Sequence, residues 1–400
     1  MKILIVGGAN NASLAISQSL GQNTKEIDVI GIKGNFHKTF HSKYVRNKYL
    51  LDPLEKSLSA FYCVLSDIIN SNQYDFVIPT NDRFSLALAS PEFRNLITSS
   101  ELVVPDHDIL LKTMDKGAVA KLAIKHGCPV PETIFTDDDF FDSLDAHIEQ
   151  LDMPVIIKPR FSWLIQNNRF HKGSVEFISK RDQLKKSLLR SHKNIAYPLI
   201  QKQIKGDAWG IELLFWDGEI KAAFSHKRVR EANPLGSFSS AVQSIPLNET
   251  YMAYIQKMLS EVKWYGVCMF EFKNDDSTNI PKLMEINGRF WGSLPAAIRS
   301  GVNFPLYLME AYTGQEISYN NTYTIGLKCN WIIEDLVHLG YVLKGKPKQW
   351  HGHYPDRKST IREFLRFSEY HSYNNEKNDP LPGFLELCVE PLIKIKRKVF

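Results

Sequence analysis

Short apolar runs alternate with longer amphipathic segments over the first hundred residues of the chain. Strand-like runs lie at residues 3–6, 28–32, 76–79 and 102–104, and helical periodicity is found at residues 13–20 and 54–69. Such alternation predicts a parallel sheet covered by helices. Gly7-Gly8 follows the first run, but the G-x-G-x-x-G spacing of a dinucleotide fingerprint is absent, so NAD binding is disfavoured.

The pattern changes near residue 105. Helices are predicted at 108–114, 116–126 and 139–151, and strands at 133–135, 154–158 and 175–178. From residue 199 strands dominate, with hairpins joining 211–216 to 220–224 and 267–273 to 282–287. After Gly314, helical patterns lie at 331–343, 361–367 and 384–395. These elements predict a mixed α/β and α+β fold with a helical C-terminal region.

Composition excludes several classes of protein. With 400 residues and 44% apolar content, the chain is long enough for two or three domains. Its formal net charge of +5 is spread along the chain, which gives no reason to expect a nucleic-acid partner. The five cysteines lie far apart without a CxxC pair, so a reducing compartment, the cytoplasm, is expected.

No integral membrane segment is expected, because no apolar run approaches the roughly 20 residues that a membrane helix requires. The C-terminus carries Lys394, Lys396, Arg397 and Lys398 among apolar residues. Such a basic tail is typical of a solvated helix end, with a weak peripheral contact to an anionic membrane surface as the alternative.

The most informative stretch is the second predicted hairpin. Side chains alternate along a strand, so Glu285 and Asn287 share one face, and antiparallel pairing would bring Glu271 to the same face. Charged residues within apolar strands are costly unless compensated, and Mg²⁺ prefers such oxygen ligands. Arg289 could reach a phosphate or a substrate carboxylate. The alternative is a hairpin with a structural Glu–Arg pair.

Residues 270–273, Phe-Glu-Phe-Lys, and 283–293, Leu-Met-Glu-Ile-Asn-Gly-Arg-Phe-Trp-Gly-Ser, resemble the metal-binding end of ATP-grasp enzymes. This is the superfamily of carbamoyl phosphate synthetase and biotin carboxylase, and the Arg-Phe-Trp-Gly-Ser continuation is similar to predicted carboxylate-amine ligases. The resemblance covers roughly residues 1–315. It implies a parallel-sheet domain (1–107), an ATP-grasp domain (108–315) made of a lid subdomain (108–198) and a metal-binding subdomain (199–315), and a mainly helical region (316–400).

The resemblance also implies roles for particular residues. The implied metal ligands are Glu271, Glu285 and Asn287, and the implied catalytic residues are Arg289, Lys158 and Arg228. The implied nucleotide contacts are Lys116, Lys158, Ser174, Gln201, Lys202, Gln203, Ile204 and Trp209. Two departures from the family stand out: Gln201 and Lys202 occupy positions where glutamate is usual, and the expected flexible loop over the phosphates, residues 160–174, contains only Gly173.

The function implied is ATP-dependent ligation of a small-molecule carboxylate, such as an amino acid, peptide or sugar acid, to an amine through an acyl phosphate. ATP and Mg²⁺, or Mn²⁺ in its place, are the expected cofactors, and a homo-oligomer is compatible with the sequence. Two alternatives stay open. One is an ATP-dependent carboxylase or carbamoyl-type enzyme, and the other is a nucleotide-binding regulatory or scaffold protein without turnover.

Overall fold

The structure, a computed structural model, describes residues 1–23, 25–347 and 354–399, with side chains described as far as Ile393. The strands are β1 (Lys2–Val6), β2 (Glu26–Ile32), β3 (Val45–Leu51), β4 (Phe76–Pro79), β5 (Glu101–Leu102), β6 (Thr133–Phe135), β7 (Val155–Lys158), β8 (Trp163–Gln166), β9 (Arg169–Lys172), β10 (Glu176–Ile178), β11 (Leu199–Lys202), β12 (Ala208–Trp216), β13 (Glu219–Glu231), β14 (Ser239–Ser244), β15 (Gly266–Asp275), β16 (Ile280–Asn287), β17 (Lys328–Asn330) and β18 (Tyr370–Ser372).

The helices are α1 (Asn11–Gln22), α2 (Leu58–Asn72), α3 (Asp82–Ala89), α4 (Pro91–Arg94), α5 (His107–Met114), α6 (Lys116–Lys125), α7 (Asp138–Asp142), α8 (Leu144–Gln150), α9 (Arg181–Asn194), α10 (Glu249–Val262), α11 (Leu294–Ser300), α12 (Phe304–Tyr312), α13 (Ile332–Lys344), α14 (Arg357–Phe364) and α15 (Leu381–Val399). Two short 3₁₀ helices lie at Lys38–His41 and Phe367–Glu369. No described helix is both long enough and apolar enough to cross a membrane.

The N-terminal sheet is parallel, with strand order β3-β2-β1-β4-β5. Its central strands are almost wholly buried between helices, as the apolar runs predict. The edge strand β3 was not predicted, because its Arg-Asn-Lys stretch faces solvent and hides the apolar ends of the strand. After β1 the chain turns at Gly7, whose φ of +116° favours glycine.

A small antiparallel sheet follows, in the order β10-β7-β11-β6, with α8 and α9 packed against it through Leu144, Leu184 and Leu188. The helix predicted over 139–151 is divided at Ser143 into α7 and α8.

The glycine-poor segment expected to be a flexible loop is instead a β-hairpin. Strands β8 and β9 pair across Asn167 and Asn168, both of which have positive φ values of 51° and 58°. Asparagine tolerates the left-handed region, so these two residues replace the glycines of a tight hairpin turn. The hairpin contacts the N-terminal domain, where Asn168 donates to Ser59 at 2.7 Å and Arg83 lies over the Trp163 ring at 5.2 Å.

The largest sheet has seven strands in the order β16-β15-β12-β13-β14-β17-β18. One face, with Ile211, Phe270 and Phe272, packs into the main hydrophobic core together with Ile255 and Leu259 of α10. Strands β17 and β18 come from the region for which mainly helices were predicted, and they extend this sheet beyond β14. The predicted mixed α/β and α+β class, with a parallel sheet first and a helical C-terminal region, is confirmed.

A buried polar cluster fastens α15 to the N-terminal domain. Lys38 and Glu386 form an ion pair with side chains only 1% and 4% exposed. Asn374 donates to Glu386 at 2.7 Å and to Asn11 at 2.9 Å, and the Trp331 indole donates to Glu386 at 2.9 Å. These hydrogen bonds compensate the desolvation of both charges, so the C-terminal helix is an integral part of the fold.

We expect Glu386→Ala to lower the free energy of unfolding by about 3–5 kcal/mol, because the Lys38 ammonium would stay buried without a counter-charge. Urea unfolding followed by circular dichroism measures this loss. Lys185→Ala, which removes an exposed ion pair with Asp145, serves as the control and should leave the midpoint unchanged. A Glu386→Ala protein as stable as the wild type would contradict a stabilising role of the pair.

Candidate active site

The predicted oxygen ligands lie together on one face of the β15–β16 hairpin. Glu271 stands directly opposite Glu285 in the ladder, and Asn287 lies two residues further along β16, opposite Met269. This face is the one turned away from the main hydrophobic core. The pairing assumed from the sequence is therefore the pairing that the structure contains.

Two lysines approach this hairpin from outside the large sheet. The register shifts after Glu271, so that Phe272 pairs with Leu283 and Met284 is bulged out of the ladder. The Met284 carbonyl accepts a hydrogen bond at 3.2 Å from Nζ of Lys158, at the end of β7. Lys116, at the start of α6, places its Nζ 3.5 Å from Oε2 of Glu285 and donates to Ser162 at 2.7 Å.

The electrostatics of the cluster are strongly coupled. Burial lowers the pKa of Lys158 to about 8, with the nearby charge of Glu285 opposing the shift and that of Lys116 adding to it. Burial by itself raises the pKa of Glu285, but Lys116, Lys158 and the nearby arginines together lower it to about 2. At neutral pH the cluster therefore holds an ionised Glu285. Near it lies Lys158, whose ammonium group loses its proton more readily than that of an ordinary lysine.

A second group of charges continues from Glu271 in both directions. Asn287 donates to Glu271 at 3.0 Å, and Arg289 donates to Asn287 at 3.0 Å. On the other side, Arg228 of β13 forms an ion pair with Glu271 and a second one with Glu231 at 3.2 Å. Arg228, one of the implied catalytic residues, is therefore joined in the structure to Glu271, one of the implied metal ligands.

The guanidinium of Arg289 is held by a carboxylate of the chain itself. Its Nε and Nη2 donate to the two carboxylate oxygens of Asp82 at 2.8 and 3.3 Å, and its Nη1 donates to the Phe290 carbonyl at 3.0 Å. Asp82 is the first residue of α3, so the N-terminal domain contributes directly to this cluster. The fork expected to meet a substrate carboxylate is thus already engaged, and Arg289 instead orients Asn287.

The donor set fits a hard divalent cation. Two carboxylates and one amide oxygen on one strand face are the ligand types that Mg²⁺ prefers. In the structure these oxygens are in contact with Lys116, Arg228, Arg289 and the Asn287 amide. No group of three or more His, Cys, Asp or Glu gathers in the described part of the chain. A magnesium ion held here would complete its coordination with water or with oxygens of a bound molecule, as in magnesium sites that hold phosphates.

Of the predicted nucleotide contacts, residues 201–204 lie where β11 ends. The Gln201 side chain is used within the sheet, donating to Thr133 at 2.9 Å, while the Lys202 side chain extends into solvent near Glu132. Beyond the strand, the main-chain N–H groups of Gln203 and Ile204 form no hydrogen bond within residues 1–23, 25–347 and 354–399. They are the groups of this segment that remain available to a ligand.

One of the predicted contacts, Trp209, is turned away from the cluster. Trp209 lies on the opposite face of β12, where it stacks on Phe272 at 4.5 Å and donates to Asn274 at 3.0 Å. Strand alternation makes this unavoidable, because Gly210 is the residue that pairs with Glu271 on the site face. Ser174 is exposed beyond the β8–β9 hairpin.

Comparison with known proteins agrees with this architecture. Residues 196–334 match the family described as "ATP-grasp in the biosynthetic pathway with Ter operon". No curated protein matches by sequence. An ADP complex of N5-carboxyaminoimidazole ribonucleotide synthetase is similar over 92% of this chain and 96% of that chain, with a TM-score of 0.62 and 12% identity. The chain has the ATP-grasp fold.

Two further ATP-grasp relatives are informative. The biotin carboxylase domain of Hydrogenobacter thermophilus 2-oxoglutarate carboxylase, a complex with MgADP, ADP and bicarbonate, covers 82% of this chain and 73% of its own, with a TM-score of 0.63 and 13% identity. The L-amino acid ligase of Bacillus licheniformis covers 78% and 73%, with a TM-score of 0.57 and 16% identity. At identities of 12–16% the likeness concerns the fold alone.

A buried triad of Glu212, His226 and Ser293, which the sequence did not reveal, lies on the same face of the large sheet as Glu271. Glu212 is fully buried on the site face of β12, its Oε1 lies 3.0 Å from Nδ1 of His226, and it accepts a hydrogen bond from Ser293 at 3.0 Å. Burial raises the pKa of Glu212. A glutamate within the apolar run Ile211-Glu212-Leu213 was the available signal for this triad.

The sequence analysis also missed Asp82, the partner of Arg289. The available signal for it was an Asn-Asp pair at the C-terminal end of a parallel strand.

We expect Glu285→Gln to lower the pKa of Lys158 below about 8, because the variant loses the negative charge that favours the ammonium form. A pH titration of the lysine Nζ signals by NMR would measure this shift. Glu261→Gln, which removes an exposed charge at the end of α10, should leave the Lys158 titration unchanged. An unaltered or raised pKa in Glu285→Gln would contradict the coupling of these two residues.

Proposed function

We propose that this protein is an ATP-dependent ligase that joins a small-molecule carboxylate to an amine. In the first step a carboxylate oxygen attacks the γ-phosphorus of ATP and ADP leaves, which gives an acyl phosphate. In the second step the amine nitrogen attacks the acyl carbon, phosphate leaves, and the amine loses a proton. Each step brings anionic groups together, and the protein has to offset their repulsion.

The observation that carries the proposal is the meeting of the two lysines with the Glu271–Glu285–Asn287 face. Lys158 comes from the small sheet, Lys116 from α6, and the acidic face from the large sheet. Cations and oxygen ligands facing each other between two subdomains suit a metal–triphosphate group better than a purely structural hairpin. Structures of similar fold contain ADP or MgADP, which agrees with this assignment.

Lys158 and Lys116 would hold phosphate oxygens. Mg²⁺, or Mn²⁺ in its place, held by Glu271, Glu285 and Asn287 would supply positive charge to those oxygens. Arg228 holds the Glu271 carboxylate in place through their ion pair, and Arg289 fixes the amide of Asn287. The free main-chain N–H groups of Gln203 and Ile204 would read the adenine edge, a role that requires no particular side chain at Gln201 or Lys202.

An ATP-dependent carboxylase or carbamoyl-type enzyme is the second candidate, favoured by the carboxylases among the structures of similar fold. A nucleotide-binding regulatory protein without turnover is the third, motivated by Gln201, Lys202 and the glycine-poor hairpin. Phosphate release with a panel of carboxylates and amines favours the ligase, and strict dependence on bicarbonate favours the carboxylase. Nucleotide binding without turnover on any substrate favours the regulator.

The free state of all five cysteines suits our placement of the protein in the cytoplasm.

We expect Glu285→Gln to keep measurable ADP binding while losing turnover by about 100-fold or more, because the adenine contacts are untouched and the metal end is not. Calorimetry with ADP and a phosphate-release assay measure the two effects. Glu219→Gln, an exposed glutamate of β13, is the matched control and should keep both properties. Turnover near the wild-type rate in Glu285→Gln would remove the metal assignment.

We expect Asp82→Asn to reduce turnover by about tenfold to 100-fold with little change in ADP affinity, because Arg289 loses its charged partner and Asn287 its fixed orientation. Asp82→Glu, which keeps the charge, should recover part of the rate, and Asp52→Asn is an exposed control. Paramagnetic Mn²⁺ binding in the presence of ADP gives a readout independent of turnover, and it should weaken in Asp82→Asn. Unchanged Mn²⁺ affinity together with an unchanged rate would contradict this role of Asp82.

A further inference from the structure

Exposed apolar side chains are concentrated in the C-terminal helices. About half of the large apolar side chains that are exposed in the described residues belong to the single stretch 336–392. In and just after α14 these are Ile361, Leu365 and Phe367, and along α15 they are Leu381, Phe384, Leu387 and Leu392. Scattered exposed apolar residues are ordinary, but such a concentration in two helices that both pack against α13 marks a candidate interaction surface.

The orientation of α15 is fixed by its opposite side. Glu386 is buried against Lys38 and Asn374, so the helix cannot rotate to hide its apolar stripe. Leu381, Phe384 and Leu392 lie at spacings of three and eight residues, which places them on one face of the helix. Phe384 and Leu392 are 62% and 61% exposed.

Basic side chains accompany the apolar ones. Lys358, Arg362 and Arg366 are exposed beside Ile361, Leu365 and Phe367, and none of the three forms an ion pair within the described part of the chain. Of the neighbouring acids, Asp356 caps the start of α14 by accepting from the Ser359 N–H at 2.9 Å, and the other two are paired with cations outside this surface. Glu363 accepts from Arg230 at 3.3 Å and Glu369 accepts from Lys328 at 2.7 Å. The free charge around the exposed apolar residues is therefore positive.

We propose that this surface, made of α14, the 3₁₀ turn after it and the outer face of α15, binds an anionic phospholipid bilayer. Apolar side chains that enter the acyl boundary, flanked by unpaired Lys and Arg that meet lipid phosphates, are what a peripheral membrane surface requires. A second copy of the chain fits less well, because a two-fold interface would bring Arg362 and Arg366 near their own copies.

The sequence continues α15 with Lys394, Lys396, Arg397 and Lys398, the basic tail already noted. The side chains of residues 394–400 lie outside the described residues, so the surface proposed here is defined by the described ones alone. It is independent of the proposed catalytic activity, and an inactive protein would bind vesicles equally well.

Flotation of the full chain with lipid vesicles tests the proposal. Binding should be at least about tenfold stronger to phosphatidylcholine vesicles containing phosphatidylglycerol than to phosphatidylcholine alone, and high salt should weaken it. The pair Leu365→Asp with Phe367→Asp, and separately the pair Arg362→Glu with Arg366→Glu, should each abolish most of this binding. Leu50→Asp, an exposed leucine on β3 far from this surface in sequence, is the control and should bind as the wild type does.

All substituted side chains are exposed, and an unchanged circular dichroism melting curve verifies that each variant is folded. Absence of binding to phosphatidylglycerol vesicles would overturn the proposal, as would equal binding by the wild type and both double variants. Light scattering that reveals a dimer lost in the same variants, with no vesicle binding, would assign the surface to a second copy instead and would also overturn it.

Discussion

The arrangement of this protein depends on keeping a few charges close together at the meeting point of separate parts of the chain. Glu285 faces Lys116 at 3.5 Å, and Lys158 donates to the bulged Met284 carbonyl next to it. None of these side chains could remain partly desolvated alone, because a buried unpaired charge costs several kcal/mol, on the order of 3–5. The three elements that carry them, α6, β7 and β16, are therefore held in register by electrostatics as well as by apolar packing.

Both ends of the chain take part in holding this arrangement. Asp82, from the N-terminal domain, grips Arg289 and through it orients Asn287. Arg230 makes a buried bidentate pair with Asp335 at 2.7 Å, so β13, which carries Arg228, is fixed to α13. The Lys38–Glu386 pair then returns α15 to the N-terminal sheet. Polar contacts from the N-terminal region and from the C-terminal helices thus both hold the strands that carry the candidate site.

The β8–β9 hairpin differs from a glycine-rich loop because its two strands are paired. Paired strands with an Asn-Asn turn offer fewer free main-chain donors to phosphates, but they position aromatic and basic side chains firmly. Contacts to Ser59 and Arg83 place the hairpin against the N-terminal domain. The sequence shows only that this segment is poor in glycine, and the pairing of its two strands became visible in the structure.

The sequence by itself determined the local pattern of the chain: the alternating N-terminal elements, the hairpin at Asp217-Gly218, and the face shared by Glu285 and Asn287. These follow from periodicity and turn chemistry, which act between neighbours. Only the tertiary structure decided which side chains meet across long separations. In the tertiary structure Arg289 pairs with Asp82, and Arg228 pairs with Glu271. Trp209 lies in the hydrophobic core, and residues 328–330 and 370–372 form strands of the large sheet. Such pairings depend on strand order and register, and no local pattern encodes them, because each side chain involved has many sterically and electrostatically equivalent partners until the sheets have packed.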